Sequence, residues 1–203
     1  MGLASVTGPT FDPISIAEAK AHCRITSTDE DGLIAGYILA ARQYVENECQ
    51  LRLATQTLDY TIDDDWPCVI ARGDYRQRIE FPIGPVQSVT TISYIDSDGV
   101  AQTLATDQYV VANMGTAVQS GRAYVEPAYG VTWPTVRCQP AAITVRFVAG
   151  WTLSSVPNPI MQVLRLLISH ADQNREASAS GTFSELPLGV ESFISAYRDL
   201  RVS

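Results

Sequence analysis

Histidine is the usual neutral-pH general base, and this 203-residue chain holds two, His22 and His170. Both fall in segments of helical periodicity, where an imidazole bonded to backbone or facing water is the ordinary outcome. A small hydrolase using His22 or His170 is one function class to carry forward. No G-x-S-x-G elbow, P-loop, G-x-G-x-x-G or H-E-x-x-H supports it. Carboxylates gather at Asp63-Asp64-Asp65 and at Asp96-Ser97-Asp98-Gly99. The second echoes the start of a calcium loop, but its twelfth position is Asp107 instead of glutamate, with no third acidic ligand suitably spaced between. These segments read as a solvated loop and a β-turn. Cys23, Cys49, Cys68 and Cys138 form no C-x-x-C pair and have no histidine at ligand spacing, so zinc and redox motifs are not expected. The thiols are expected to be reduced and mostly buried. No metal or cofactor is implied. Arg72, Tyr75, Arg76 and Arg78 make the one basic and aromatic cluster, with Asp74 and Glu80 beside it. It suits an acidic protein partner, an exposed strand or nucleic acid.

Charge narrows those choices. Asp and Glu number 22 against 14 Lys and Arg, a net charge of −8, with a pI near 4.7. Tight binding to nucleic acid draws on a basic surface that displaces counterions, and this balance argues against it. Lys20 is the single lysine; the other cations are arginines, whose fork geometry suits carboxylates and carbonyls. Charged residues reach only 18% against 46% hydrophobic, which points to a surface partly covered in use. The first residues lack a basic and apolar leader pattern, and no apolar run reaches the ~18 residues of a membrane span. A soluble protein made in the cytoplasm, with no membrane partner, is expected.

The elements that position these residues follow from periodicity. Ser15-Ile16-Ala17-Glu18 is a capping box opening a helix that ends near Arg24, with Ile14 and Ala19 as a hydrophobic staple. A second box at Thr28-Asp29-Glu30-Asp31 opens a longer helix, whose stripe Leu33, Ile34, Tyr37, Ile38, Ala41, Val45 and Cys49 runs at helical spacing. Between Leu53 and Gly150 the period falls to two. Strands are expected at 57–62, 78–81, 86–95, 100–104, 109–112, 122–126 and 143–147. The one at 86–95 alternates imperfectly, which implies a bulge or burial on both faces. Asp98-Gly99 marks a hairpin turn, and 126–140 reads as loop. Asn158 with Pro159 then starts a helix apolar nearly all round, the expected core helix. Residues 177–182 are a small-residue link, and Val190, Phe193, Ile194, Tyr197 and Leu200 share one side of a last short helix. The expected architecture is α+β: a helical bundle from the N- and C-terminal segments, 12–52 plus 157–203, carrying a large β-rich insertion, 53–156.

The ordered series of motifs resembles a known family. Ser15-Ile16-x-Glu18-Ala19-Lys20-x-His22-x-Arg24, then Leu33-Ile34-x3-Ile38-x-Ala40-Ala41-Arg42-x2-Val45-Glu46, is similar to the N-terminal helices of head-tail connector (adaptor, head-completion) proteins of tailed phages and gene transfer agents. The likeness continues through Phe81-Pro82-Ile83-Gly84-Pro85-Val86, Tyr94-x-Asp96-x-Asp98-Gly99, Trp133-Pro134, 142–150, Val156-Pro157-x-Pro159-Ile160 and Leu186-Pro187-x-Gly189-Val190. The resemblance implies a structural subunit of the virion, at the head-tail interface, and no enzyme. Such a subunit forms a homo-oligomeric ring, usually dodecameric, between the portal protein and a stopper or tail connector. DNA passes through the centre without tight binding.

Under that reading the C-terminal segment is the expected portal contact, through Phe183, Leu186, Val190, Phe193, Ile194, Tyr197, Arg198 and Arg201. A flexible link followed by an amphipathic helix suits docking into another protein's groove. The competing expectation is that Phe193, Ile194 and Tyr197 simply cover the core helix. Removing 183–203 is expected to leave a folded protomer. Arg42, Glu46 and Arg175 are the intersubunit candidates. A third function class is a monomeric binding module of a phage or prophage particle, whose β region recognises a partner.

Overall fold

The computed structural model describes residues 1–63, 66, 68–71, 74–115, 122–174 and 189–198, with backbone only at 68–71 and 74–76. The fold is α+β. Its chain divides into two units: a β unit, Met1–Gly8 with Thr55–Gly150, and a helical unit, Pro9–Ala54 with Trp151–Ser203.

Alternating burial builds the β unit. Strand β10 (Ile143–Ala149) buries Ile143, Val145, Phe147 and Ala149 while Arg146 points to solvent, the period-two signature of a sheet with one wet face. It lies between β2 (Gln56–Ile62) and β6 (Val86–Ile95), antiparallel to both. β1 (Gly2–Thr7) joins the outer side of β2, and β7 (Ala101–Thr103) the outer side of β6, giving the order β1-β2-β10-β6-β7. Two further ladders complete the unit. β3 (Cys68–Ala71) pairs with β4 (Asp74–Gln77), and β5 (Ile79–Glu80) with β9 (Tyr124–Pro127), which also pairs with β8 (Tyr109–Ala112).

The strand expected to bulge does so twice. Opposite β10 the register skips one residue of β6 between Val89 and Thr91 and another between Val86 and Ser88. Its pattern is not burial on both faces, because much of the strand stays exposed. At the second skip the Gln87 side-chain Nε2 donates to Gly150 O at 2.6 Å and Thr55 Oγ1 at 3.1 Å. The 96–99 turn also forms as its residues require. Asp96 Oδ1 accepts from the amides of Asp98 and Val100, and Gly99 takes φ +84, which disfavours a side chain.

Among the described residues sixteen buried side chains make the β-unit core, with the Phe81 and Phe147 rings 4.7 Å apart. The 127–142 loop is tied down by indoles. Trp66 and Trp133 stack at 4.3 Å and 7°; Trp66 Nε1 donates to Pro134 O, and Trp133 Nε1 to Gln77 O. Each ring buries a large apolar face and still satisfies its single donor.

In the helical unit, α1 (Ile16–Cys23) starts on the expected capping box. Ser15 Oγ accepts from Glu18 N, and Glu18 accepts from Ser15 N at 2.9 Å. These bonds from Ser15, backbone first, hold the Glu18 carboxyl below its usual range. Ile14 and Ala19 are both buried. The second box does not form: α2 (Asp31–Cys49) begins after Glu30, which makes no side-chain cap. The Asp31 carboxylate instead accepts from Lys20 Nζ at 2.6 Å. α3 (Asn158–Gln173) has Pro157 at the cap position, so Asn158 is already helical. Nor is α3 apolar all round. Ile160, Val163, Leu164, Leu167, Ile168 and Ala171 form one buried stripe, while Gln162 is exposed. Its stripe packs on α1 and α2. The expected boundaries at 12, 53 and 157 fall a few residues from the observed ones, and the β unit also takes in 1–8, to which no strand was assigned.

Neighbouring β10 positions should respond very differently to truncation. Phe147→Ala should cost about 3–5 kcal/mol by opening a cavity. Arg146→Ala, which removes an exposed pair with Asp59, should cost under about 1 kcal/mol. Urea unfolding of both variants checks the contrast. The Arg146 hydrogen bonds hold the Asp59 carboxyl below its usual range. The pair's small contribution is therefore present above the unfolded carboxylate pKa and is lost as pH falls through the lowered folded value.

Candidate connector surface

The described part of the C-terminal segment is α4 (Val190–Ser195) and the turn after it. Gly189 enters the helix at φ +99, a left-handed geometry that glycine takes without strain. Val190 and Ile194, four residues apart, are 0% and 3% exposed. α4 packs on α3 and α2 through this side. Phe193 points the other way and is 42% exposed. Tyr197 is half-buried. Arg198 pairs with Glu48 of α2, and that bond raises the guanidinium pKa. Beneath lie Tyr44 and Cys49. Burial pushes the Tyr44 phenol up and the Cys49 thiol to about 11, which leaves that thiol protonated and inert at neutral pH.

The expected portal-contact residues thus separate into two kinds. Val190 and Ile194 cover the helical core, whereas Phe193 offers an aromatic face to solvent. Phe183, Leu186 and Arg201 lie outside the described residues, as does Arg175. The buried pair also changes what truncation would do. Removing 183–203 strips the cover from α2 and α3, so a fully folded protomer is no longer the expected result.

Arg42 and Glu46, one turn apart on α2, make contacts within the protomer. Arg42 pairs with Asp12. Glu46, 9% exposed, accepts the Leu53 amide at 2.8 Å. Its pKa is raised, first by burial, against the lowering effect of the Leu53 bond and of Arg52 and Arg42. Burial likewise lowers the Arg52 pKa, with Glu46 opposing. The carboxylate fixes the turn by which α2 leads toward residue 54. Asp12, Glu48 and Leu53 carry no sequence signal as partners, since each meets its residue across a loop or between elements.

The residues weighed for chemistry are dispersed. His22 is exposed on α1; His170 lies on α3 with Nδ1 3.3 Å from the Asn174 side-chain amide. Asp63 Oδ1 accepts from Ala141 N, and both Asp96 oxygens are engaged by its own hairpin. Among the described residues no group of three His, Cys, Asp or Glu could hold a metal ion. Cys49 is buried and Cys23 partly so, but Cys138 is exposed, contrary to expectation, because it sits in the surface loop after Trp133. Arg78 pairs with Glu80 and lies 4.7 Å over the Tyr124 ring, which commits one cation of the 72–78 cluster to the fold. No helix among the described residues is long and apolar enough to cross a membrane.

Residues 13–104 match the family model described as phage gp6-like head-tail connector protein. Over that span the chain is similar to that family. No curated protein matches its sequence. Three solved chains share the fold along the whole length. One, from the neck of an empty gene transfer agent particle computed with C6 symmetry, matches at TM-score 0.76 and 22% identity. Others come from the virion of a native gene transfer agent particle, at 0.75 and 23%, and from a native neck computed with C12 symmetry, at 0.75 and 22%. Each match covers 100% of this chain and 98% of the other.

Glu46 gives this protein a testable pH signature. Its raised folded pKa means that the folded state binds the proton more tightly, so stability falls as pH rises from the unfolded carboxylate value through the raised one. Glu46→Gln, which keeps an acceptor for Leu53 N, should remove that slope. Melting temperatures of both proteins from pH 4 to 8 check it; parallel curves would refute it.

Proposed function

We propose that this protein is a structural connector subunit of a phage-like particle, forming a ring, dodecameric in the reading we favour, between the portal and the next connector or tail. The observation that carries it is the match along the entire chain, both units included, to a chain of a neck with twelvefold symmetry. The dispersal of its histidines and carboxylates fits a structural role in place of a catalytic one. A ring protomer needs two unlike faces, because only a heterologous contact closes at more than two copies. The net charge of −8 suits a channel wall that repels phosphates and lets a duplex slide through without tight binding.

Phe193 is the residue we assign to portal docking. An exposed aromatic ring on a helix whose opposite side is anchored can enter a partner's pocket without unfolding its own support. Phe193→Asp should melt within a few degrees of the wild type yet fail to join portal-bearing heads. Complementation of particles lacking this protein, followed by electron microscopy of the vertex, tests both claims. Normal joining by the variant removes the docking role, and a vertex without a ring of this protein removes the connector reading.

A further inference from the structure

The five-stranded sheet of the β unit ends in two edge strands, β1 and β7, each paired on its inner side and with no strand on its outer side among the described residues. Natural edges are guarded by charge, proline or a covering segment, since an open row of N–H and C=O groups pairs with whatever strand arrives. β1, Gly-Leu-Ala-Ser-Val-Thr, is six residues long with no charge and no proline, and five of the six are exposed. β7, Ala-Gln-Thr, is uncharged and exposed throughout. Val6 in β1 and Val100 just before β7 are 47% and 54% exposed.

Strand direction distinguishes the ways these edges can be used. Every neighbouring pair in the sheet is antiparallel, and the number of strands is odd. β1 and β7 therefore point the same way. Pairing β1 with β1 of another copy about a twofold axis is antiparallel, closes at two, and leaves both β7 edges open. Pairing β7 of one copy with β1 of the next is parallel, uses two unlike surfaces, and repeats. The ladders also place the two edges level: Gly2, Thr61, Thr144, Ser93 and Thr103 lie in one row across the sheet. Extending that row beyond Thr103 reaches Gly2 of the adjoining copy, and a step of two residues along the strands, of the kind that strand tilt produces in a closed sheet, sets Ala101, Gln102 and Thr103 against Gly2, Leu3 and Ala4 with their faces matched.

We propose that the β7 edge of one protomer pairs in parallel with the β1 edge of its neighbour, so that the sheets run on from copy to copy as a hoop around the ring. This rests on the ring reading above. Five strands at about 4.8 Å give each protomer about 24 Å of wall; twelve make a hoop roughly 90 Å across, bending only about 6° per strand. The joint is limited by β7 to three residues. A single joint is thus weak, and the hoop gains its strength on closure, which a template such as the portal would promote.

Cysteine pairs on a Cys138→Ser background test the joint in whole particles. Ala4→Cys with Thr103→Cys, and Ala4→Cys with Gln102→Cys, sample both faces of β7; each should keep the wild-type melting temperature. Oxidation should yield a ladder of covalent multimers on a non-reducing gel, from at least one pair and from neither single variant. A charge pair gives a second readout: Thr103→Asp alone should reduce ring occupancy, and adding Ala4→Lys should restore it. Dimers from Ala4→Cys alone would show β1 on β1 and overturn the proposal. Intact rings by microscopy with no ladder from either pair would overturn it too. Vertices without rings would overturn the ring reading itself, an outcome that microscopy separates from loss of the joint.

Discussion

The antiparallel seat of β10 between β2 and β6 is the constraint on which the β unit hangs. Its partners lie some fifty to ninety residues earlier in the chain, so ordering that intervening length must be offset by what the strand buries. Val145 and Phe147, both 0% exposed, supply much of that burial, with Phe147 against Phe81. Once β10 is placed, β2 and β6 have fixed positions, and β1 and β7 have edges on which to form. The strand also ends where the chain turns back toward α3. A fault in it would open the sheet on both of its sides.

The helical unit solves the same problem with a stripe. α3 puts apolar residues on one side at helical spacing, and α1, α2 and α4 share that surface. α4 is too short to be stable alone. It is held by two buried side chains and by an arginine reaching across to α2. An element attached so lightly keeps Val190 and Ile194 in the core and leaves Phe193 exposed.

Much of this was legible in the sequence, for identifiable reasons. Helices announce themselves locally: the Ser15 box, the α2 stripe and the proline near the α3 start each need only a few consecutive residues. The irregular alternation in β6 correctly signalled a bulge, and Asp98-Gly99 a turn. What escaped depends on partners distant in the chain. β1 has no pattern of its own, because nearly all its residues face water, and only β2 makes it a strand. The Thr28 box failed because Asp31 had a better partner in Lys20, eleven residues away. Trp66 reads as one aromatic among acidic residues until Trp133 is stacked on it. At the candidate surface, the family resemblance singled out Arg42, Glu46 and Arg198, but no local pattern shows that all three are engaged inside the protomer.

That engagement bears on the excess of negative charge. Lys20, Arg42, Arg78, Arg146 and Arg198 each meet a carboxylate of their own chain, so positive charge is spent on internal cross-bracing. Removing five such neutral pairs leaves the surplus of eight carboxylates untouched, now set against fewer cations. Copies of the chain brought side by side accordingly meet as like charges, and their approach is uphill until something screens it. Dissolved salt does so over about 8 Å at physiological strength. For this molecule ionic strength is a cohesive agent: it dulls the repulsion between protomers while their own ion pairs, short and partly shielded, hold each one together.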